Sequence, residues 1–170
     1  MNLCAKCAQH ELTCCQGTEV FVTDGDVRRI ATYVGKADFW EYRQPKDPVY
    51  TMHQPADPHW LRYTVRSDGT RPQLKHQRSG DCTFLTSTGC ALPSEVRPLI
   101  CRLYPHDYTE HGIVGIVSGC PLYLLDQGQT LIGAIGIDAA DAKRWHAQLY
   151  SELRTGSVWY ENRHHLRSTP

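Results

Sequence analysis

The sequence predicts an α+β chain, with two amphipathic helices and short antiparallel strands organised around a cysteine-rich site. Three observations carry that prediction. Two stretches show helical apolar periodicity, residues 23–34 and 139–155. Between them lie many Pro, Gly and Asp-Gly punctuated segments too short for further long helices. The eight cysteines fall into two groups of four, Cys4, Cys7, Cys14 and Cys15, then Cys82, Cys90, Cys101 and Cys120, with none between Cys15 and Cys82. Thiols used only for core packing would be scattered.

Length and composition bound the rest. A chain of 170 residues is most simply one domain, 1–170, large enough for a hydrophobic core. Its 18 basic and 18 acidic residues cancel, which argues against a nucleic-acid partner or an anionic membrane surface. No stretch approaches the apolar run of a membrane span, and the first residues, with Lys6, His10 and Glu11, lack the apolar core of a secretory signal. The expected compartment is the cytoplasm, where clustered thiols stay reduced and more often hold metal than disulfides. A disulfide-stapled exported domain is the reading this sets aside.

In chain order, Cys4-Ala-Lys-Cys7 is a C-x-x-C, a spacing that turns two sulfurs toward one metal from a tight loop. No strand pattern precedes it, which disfavours a thioredoxin-type dithiol. Cys14-Cys15 are adjacent, and in extended chain adjacent side chains diverge, so the pair suits two metals or two atoms of one polynuclear cluster. Residues 23–34 then read as a helix. Thr23 is the N-cap, Asp26 completes a capping box, Val22 and Val27 form a staple, and Gly35 is the stop. Val27, Ile30, Ala31 and Val34 make its apolar stripe.

Residues 36–60, with Pro45, Pro48, Pro55 and Pro58, read as a wandering loop. Leu61 to Arg66 alternates apolar and polar and runs into Asp68-Gly69, predicting a hairpin whose partner strand spans about 71–78. Gly89 permits the turn into Cys90, and Pro98 starts a short helix carrying Leu99, Cys101 and Leu103 that ends at Pro105. Residues 113–117 read as a strand, and Cys120-Pro121 resembles the end of ferredoxin cysteine runs. Residues 131–137 read as an apolar strand. Asp138 caps the second long helix, with Ala142, Trp145, Leu149 and Leu153 inward and Gly156 at its end, followed by a loose tail through Arg163, His164 and His165.

Eight thiolates match two four-thiolate zinc sites, two iron–sulfur clusters, or one site with spare cysteines. A single C-x-x-C is one knuckle short of two zinc ribbons, and the irregular spacing with Cys-Pro suits iron–sulfur; both metals choose thiolate. No G-x-G-x-x-G, P-loop or G-x-S-x-G occurs, and no histidine pair has H-x-x-x-H spacing. No catalytic residue emerges. Arg97 and Arg102 bracket Cys101 and are expected to donate hydrogen bonds to thiolates. His106, just past Tyr104-Pro105, is the histidine to watch, a polar loop histidine on its plainer reading.

Cys4-x2-Cys7 with Cys14-Cys15, Cys82-x-Phe84-Leu85-x4-Cys90, and Arg97-Pro98-x2-Cys101-Arg102-x-Tyr104-Pro105 together resemble the YkgJ-type cysteine-cluster family over about residues 4–121. The family signature is C-x-x-C-x-x-C-C; here six residues, not two, separate Cys7 from Cys14. The resemblance implies a zinc- or iron-chelating domain, and a flagellin lysine methylase domain is similar to it. The expected function is therefore chelation of an iron–sulfur cluster or zinc through Cys4, Cys7, Cys14, Cys15, Cys82, Cys90, Cys101 and Cys120, in a redox or methyl-transfer enzyme or its accessory. The alternative is a non-catalytic, zinc-stabilised interaction module.

Overall fold

A computed structural model describes residues 3–10 and 13–165, without the side chains of residues 164 and 165. Seven helices are described: α1 (Leu3–Ala8), α2 (Asp24–Val34), α3 (Trp60–Thr64), α4 (Leu99–Leu103), α5 (Leu131–Ile135), α6 (Ala139–Thr155) and α7 (Ser157–His165). Six strands pair only as neighbours in three antiparallel ribbons, β1 (Trp40–Arg43) with β2 (Arg71–Leu74), β3 (Leu85–Thr86) with β4 (Gly89–Cys90), and β5 (His106–Thr109) with β6 (Gly112–Ile116). The fold is thus α+β, as expected.

Both long helices form where their end signals place them. In α2 the Thr23 hydroxyl accepts from Asp26 N, the Asp26 carboxylate accepts from Thr23 N, and Gly35 ends the helix at φ 74°. In α6 Asp138 accepts from Asp141 N, and Ala142, Trp145, Leu149 and Leu153 are buried.

Four expectations give way. Leu61 to Thr64 lies in α3, where Trp60 is half-buried and Tyr63 and Thr64 are buried; the i, i+3, i+4 spacing outweighs a four-residue alternation. The turn at residues 66–70 does form, with Arg66 N bonded to Thr70 O, but β2 pairs with β1 from the supposed loop, Trp40 opposite Leu74 and Arg43 opposite Arg71. Residues 131–135 are helical because Thr130 caps the N-terminus and Gly136, at φ 82°, caps the other end. The expected loose tail continues as α7 through 165, its Val158 buried and Trp159 against Tyr63; residues 166–170 lie outside the described set.

The core has two parts. In one, the buried face of α6 packs on Phe21, Tyr63, Leu99 and Leu103. In the other, Ile30 of α2 meets Val20, Val22, Phe39, Leu74, Leu92 and Cys82, and Cys15, Cys90 and Cys101 pack on its edge. Ile100 of α4 touches both. Asp26 locks these parts together: its Oδ1 accepts from Leu99 N (3.0 Å) and from Arg29 Nη2, while Arg29 Nη1 reaches Glu152 of α6. Gly25 is buried beside Glu152, and a Cβ there would meet the Glu152 carboxylate and push it off its present partners, Thr23 and Arg29.

Candidate metal centre

Five chain segments bring the cysteines together. Cys4 and Cys7 lie at i and i+3 on α1, a short helix where a tight loop was expected. Helix α1 lies against β4, whose Gly89 (φ 104°) faces Ala5 so closely that a Cβ would stand 3.4 Å from Ala5 Cα. Lys6 ties the other side of α1 to Asp126, 2.7 Å away, just beyond Cys120. Cys14 and Cys15 sit in a turn, Thr13 N bonded to Gln16 Oε1, so they do not take the extended divergence expected of neighbours.

That turn is strapped to the second cysteine group by the backbone. Cys82 N donates to Cys15 O at 2.8 Å, Gly17 N donates to Gly80 O, and Gln16 bridges Asp81. Cys90 ends the β3–β4 ribbon, Cys101 lies mid-α4, and Cys120 follows β6 with Tyr104 hydrogen-bonded to its thiol. All eight cysteines line one cavity of about 970 Å³, and none is in a disulfide.

The thiols feel this confinement. Burial pushes Cys82 up to about 12 and raises Cys4, Cys7, Cys90, Cys101 and Cys120. Cys101 is raised well above the ordinary thiol value by burial, and neighbouring Cys82, Cys15 and Cys90 raise it further. Cys15 alone is held down, to about 7, by hydrogen bonding from Cys14 with help from the Arg97 guanidinium; Cys14 is raised in exchange.

Of the two expected arginines, Arg97 stands among the sulfurs. Its charge favours the thiolates of Cys4, Cys15 and Cys90, and its Nε is anchored on Leu92 O at 2.9 Å. Arg102 also lines the cavity but spends its donors elsewhere, Nε on Arg97 O (2.7 Å) and Nη1 on Glu95. It holds Arg97 in place. His106 lines the cavity too, with Nδ1–H donating to Leu103 O at 2.9 Å, so its tautomer is set by the backbone. The sequence reading missed the contribution of Tyr104 at Cys120, since no spacing links a tyrosine to a cysteine 16 positions on.

The family described as CxxCxxCC, a putative zinc- or iron-chelating domain, matches residues 3–121. The chain belongs to this cysteine-cluster family. No curated protein and no solved structure matches it. The donor chemistry of the cavity fits the description, because soft thiolates select zinc and iron–sulfur centres. The sulfurs ring the space without closing on a point: among the described residues, no three His, Cys, Asp or Glu side chains are placed to hold an ion. No described helix is long and apolar enough to cross a membrane.

Proposed function

We propose that the chain holds a polynuclear iron–sulfur centre through Cys4, Cys7, Cys14, Cys15, Cys82, Cys90, Cys101 and Cys120, in a redox or methyl-transfer enzyme or its accessory. The observation that carries this reading is that both cysteine groups line one cavity, so their sulfurs serve a shared space. A pair of independent four-thiolate zinc sites would be expected as two closed local knuckles. The proposal extends to a reducing compartment, the cytoplasm, since eight free thiols gathered at one cavity suit it.

Such a centre supplies electron transfer or an open coordination position when bound. The protein's own groups would do the rest. The turn at Cys14 and Cys15 and the α1 helix bring one set of sulfurs to the rim. The β3–β4 ribbon and α4 fix the other set, Arg97 offsets thiolate charge, and the Tyr104 hydroxyl orients Cys120. Anaerobic purification followed by iron, sulfide and zinc analysis with a visible spectrum tests the reading. Brown protein with iron and acid-labile sulfide is expected. Colourless protein carrying zinc alone overturns the iron–sulfur reading in favour of the zinc-stabilised module, and metal-free protein overturns both.

A further inference from the structure

The cavity continues past the thiols to a second polar group that the cysteines do not explain. Arg71 at the start of β2 is 2% exposed and lines that space. Its guanidinium carbon lies over two rings, Tyr50 at 4.8 Å and Phe21 at 5.2 Å from the centroid. Such ring contacts leave the N–H groups still needing acceptors. Neither Nε nor Nη1 has one, and no described carboxylate forms an ion pair with Arg71. Glu19 is the carboxylate whose charge acts on it, but Glu19 accepts instead from Lys46 N (3.0 and 2.9 Å) and Asp47 N (3.2 Å).

We propose that Arg71 is the anchor of a binding site for a small carboxylate carried on an apolar or aromatic body. A buried charge without its hydrogen bonds is retained at a cost that binding an anion removes. The guanidinium fork matches a carboxylate in shape. At this end of the cavity Arg71, with Glu19 in range, suits a monoanion better than a phosphate dianion. Trp60, Tyr108, Tyr50 and Leu74 line the cavity and offer contact to an apolar body, and exposed Gln54 and Ala56 lie at its mouth. Ligand pockets of about 300–1,000 Å³ are the usual size, so the space admits both a cysteine-bound centre and a small ligand. Tyr108 lines the same cavity and is in electrostatic range of both Cys101 and Arg71. The site does not depend on the metal reading; its acceptor-seeking group is Arg71, not a thiol.

The test uses the full chain with the metal it carries on purification. Benzoate, its neutral isostere benzamide and inorganic phosphate are each titrated, with Trp60 and Trp145 fluorescence and calorimetry as readouts. Saturable benzoate binding is expected, with benzamide and phosphate weaker by about tenfold or more, a difference of about 1.4 kcal/mol. Arg71→Met should weaken benzoate at least about tenfold and Arg71→Lys by less, both with unchanged metal content. Benzamide binding as well as benzoate, or phosphate binding more tightly, overturns the carboxylate assignment. Benzoate binding unaltered in Arg71→Met overturns the location, as it would if the carboxylate were held by metal. No binding in the millimolar range means that water satisfies Arg71, which also overturns it. If Arg71→Met does not fold, the benzoate–benzamide comparison on the unaltered chain and on Arg71→Lys decides.

Discussion

At the scale of single residues, the thiols and the arginine among them set the terms for metal uptake. Six cysteines are raised above the ordinary thiol value by burial, with Cys82 at about 12, so at neutral pH the empty site is largely protonated. A thiolate ligand must lose its proton, so binding releases protons and competes with them. Apparent metal affinity should therefore rise steadily from pH 6 to pH 9, with more than one proton released per metal, measurable by calorimetry in buffers of different ionisation enthalpy. A flat affinity would mean that the raised thiols are not ligands. Arg97→Ala removes the cation beside Cys4, Cys15 and Cys90 and should cost about 10- to 100-fold in resistance of the metal to a chelator. Arg102→Ala should act at second hand, mainly through stability, because its donors go to Arg97 O and Glu95. A larger metal loss from Arg102→Ala than from Arg97→Ala would reverse that order.

At the scale of elements, legibility followed the strength of local signals. The capped helices α2 and α6 were readable because cap, stripe and stop agreed within each segment. Helices α3 and α5 were not, because five residues give too little periodicity to separate helix from strand, and packing on α6 and α7 decides the former. The β1–β2 pairing was hidden for another reason: its strands are joined across a proline-rich loop and β2 carries Pro72, so nothing local announced the partner. All candidate ligands were visible as residue types, but Arg71 was not, since an Arg-Pro dipeptide has no signature of burial. Asp26 was read as a cap alone, whereas it also binds Leu99 N and Arg29. Asp26→Ala should therefore cost more than a cap, which is worth about 0.5–2 kcal/mol. It leaves a buried amide and a guanidinium unpaired, and a loss of about 3 kcal/mol or more is expected by urea unfolding. Asp26→Asn, which keeps an acceptor for Leu99 N, should cost less; equal costs would assign the whole effect to the charge.

At the scale of the whole molecule, the cysteine cavity joins parts of the chain that sequence order keeps apart. Bringing Cys15 to Cys82 closes a loop of 66 residues, an entropy cost of roughly 3.7 kcal/mol from the length-dependent part alone. The backbone bonds from Cys82 N to Cys15 O and Gly17 N to Gly80 O, with the β2 contacts to Val20 and Val22, offset part of that cost without metal. Structural zinc contributes about 10–16 kcal/mol in small modules, enough to exceed it several-fold. The N-terminal strap should therefore be present but weak in metal-free protein and strong in the loaded form. Hydrogen exchange at Cys82 N and Leu74 N reads this directly, with protection rising on metal loading and residues far from the cavity, such as Leu149, changing little. The double variant Cys4→Ser/Cys7→Ser then separates one shared centre from two local ones. If both groups serve one space, the variant loses more than half of the bound metal, and Cys82 N loses its metal-dependent protection. A variant that keeps half its metal with Cys82 N fully protected would mean that Cys82, Cys90, Cys101 and Cys120 close their own site, with the N-terminal sulfurs as neighbours only.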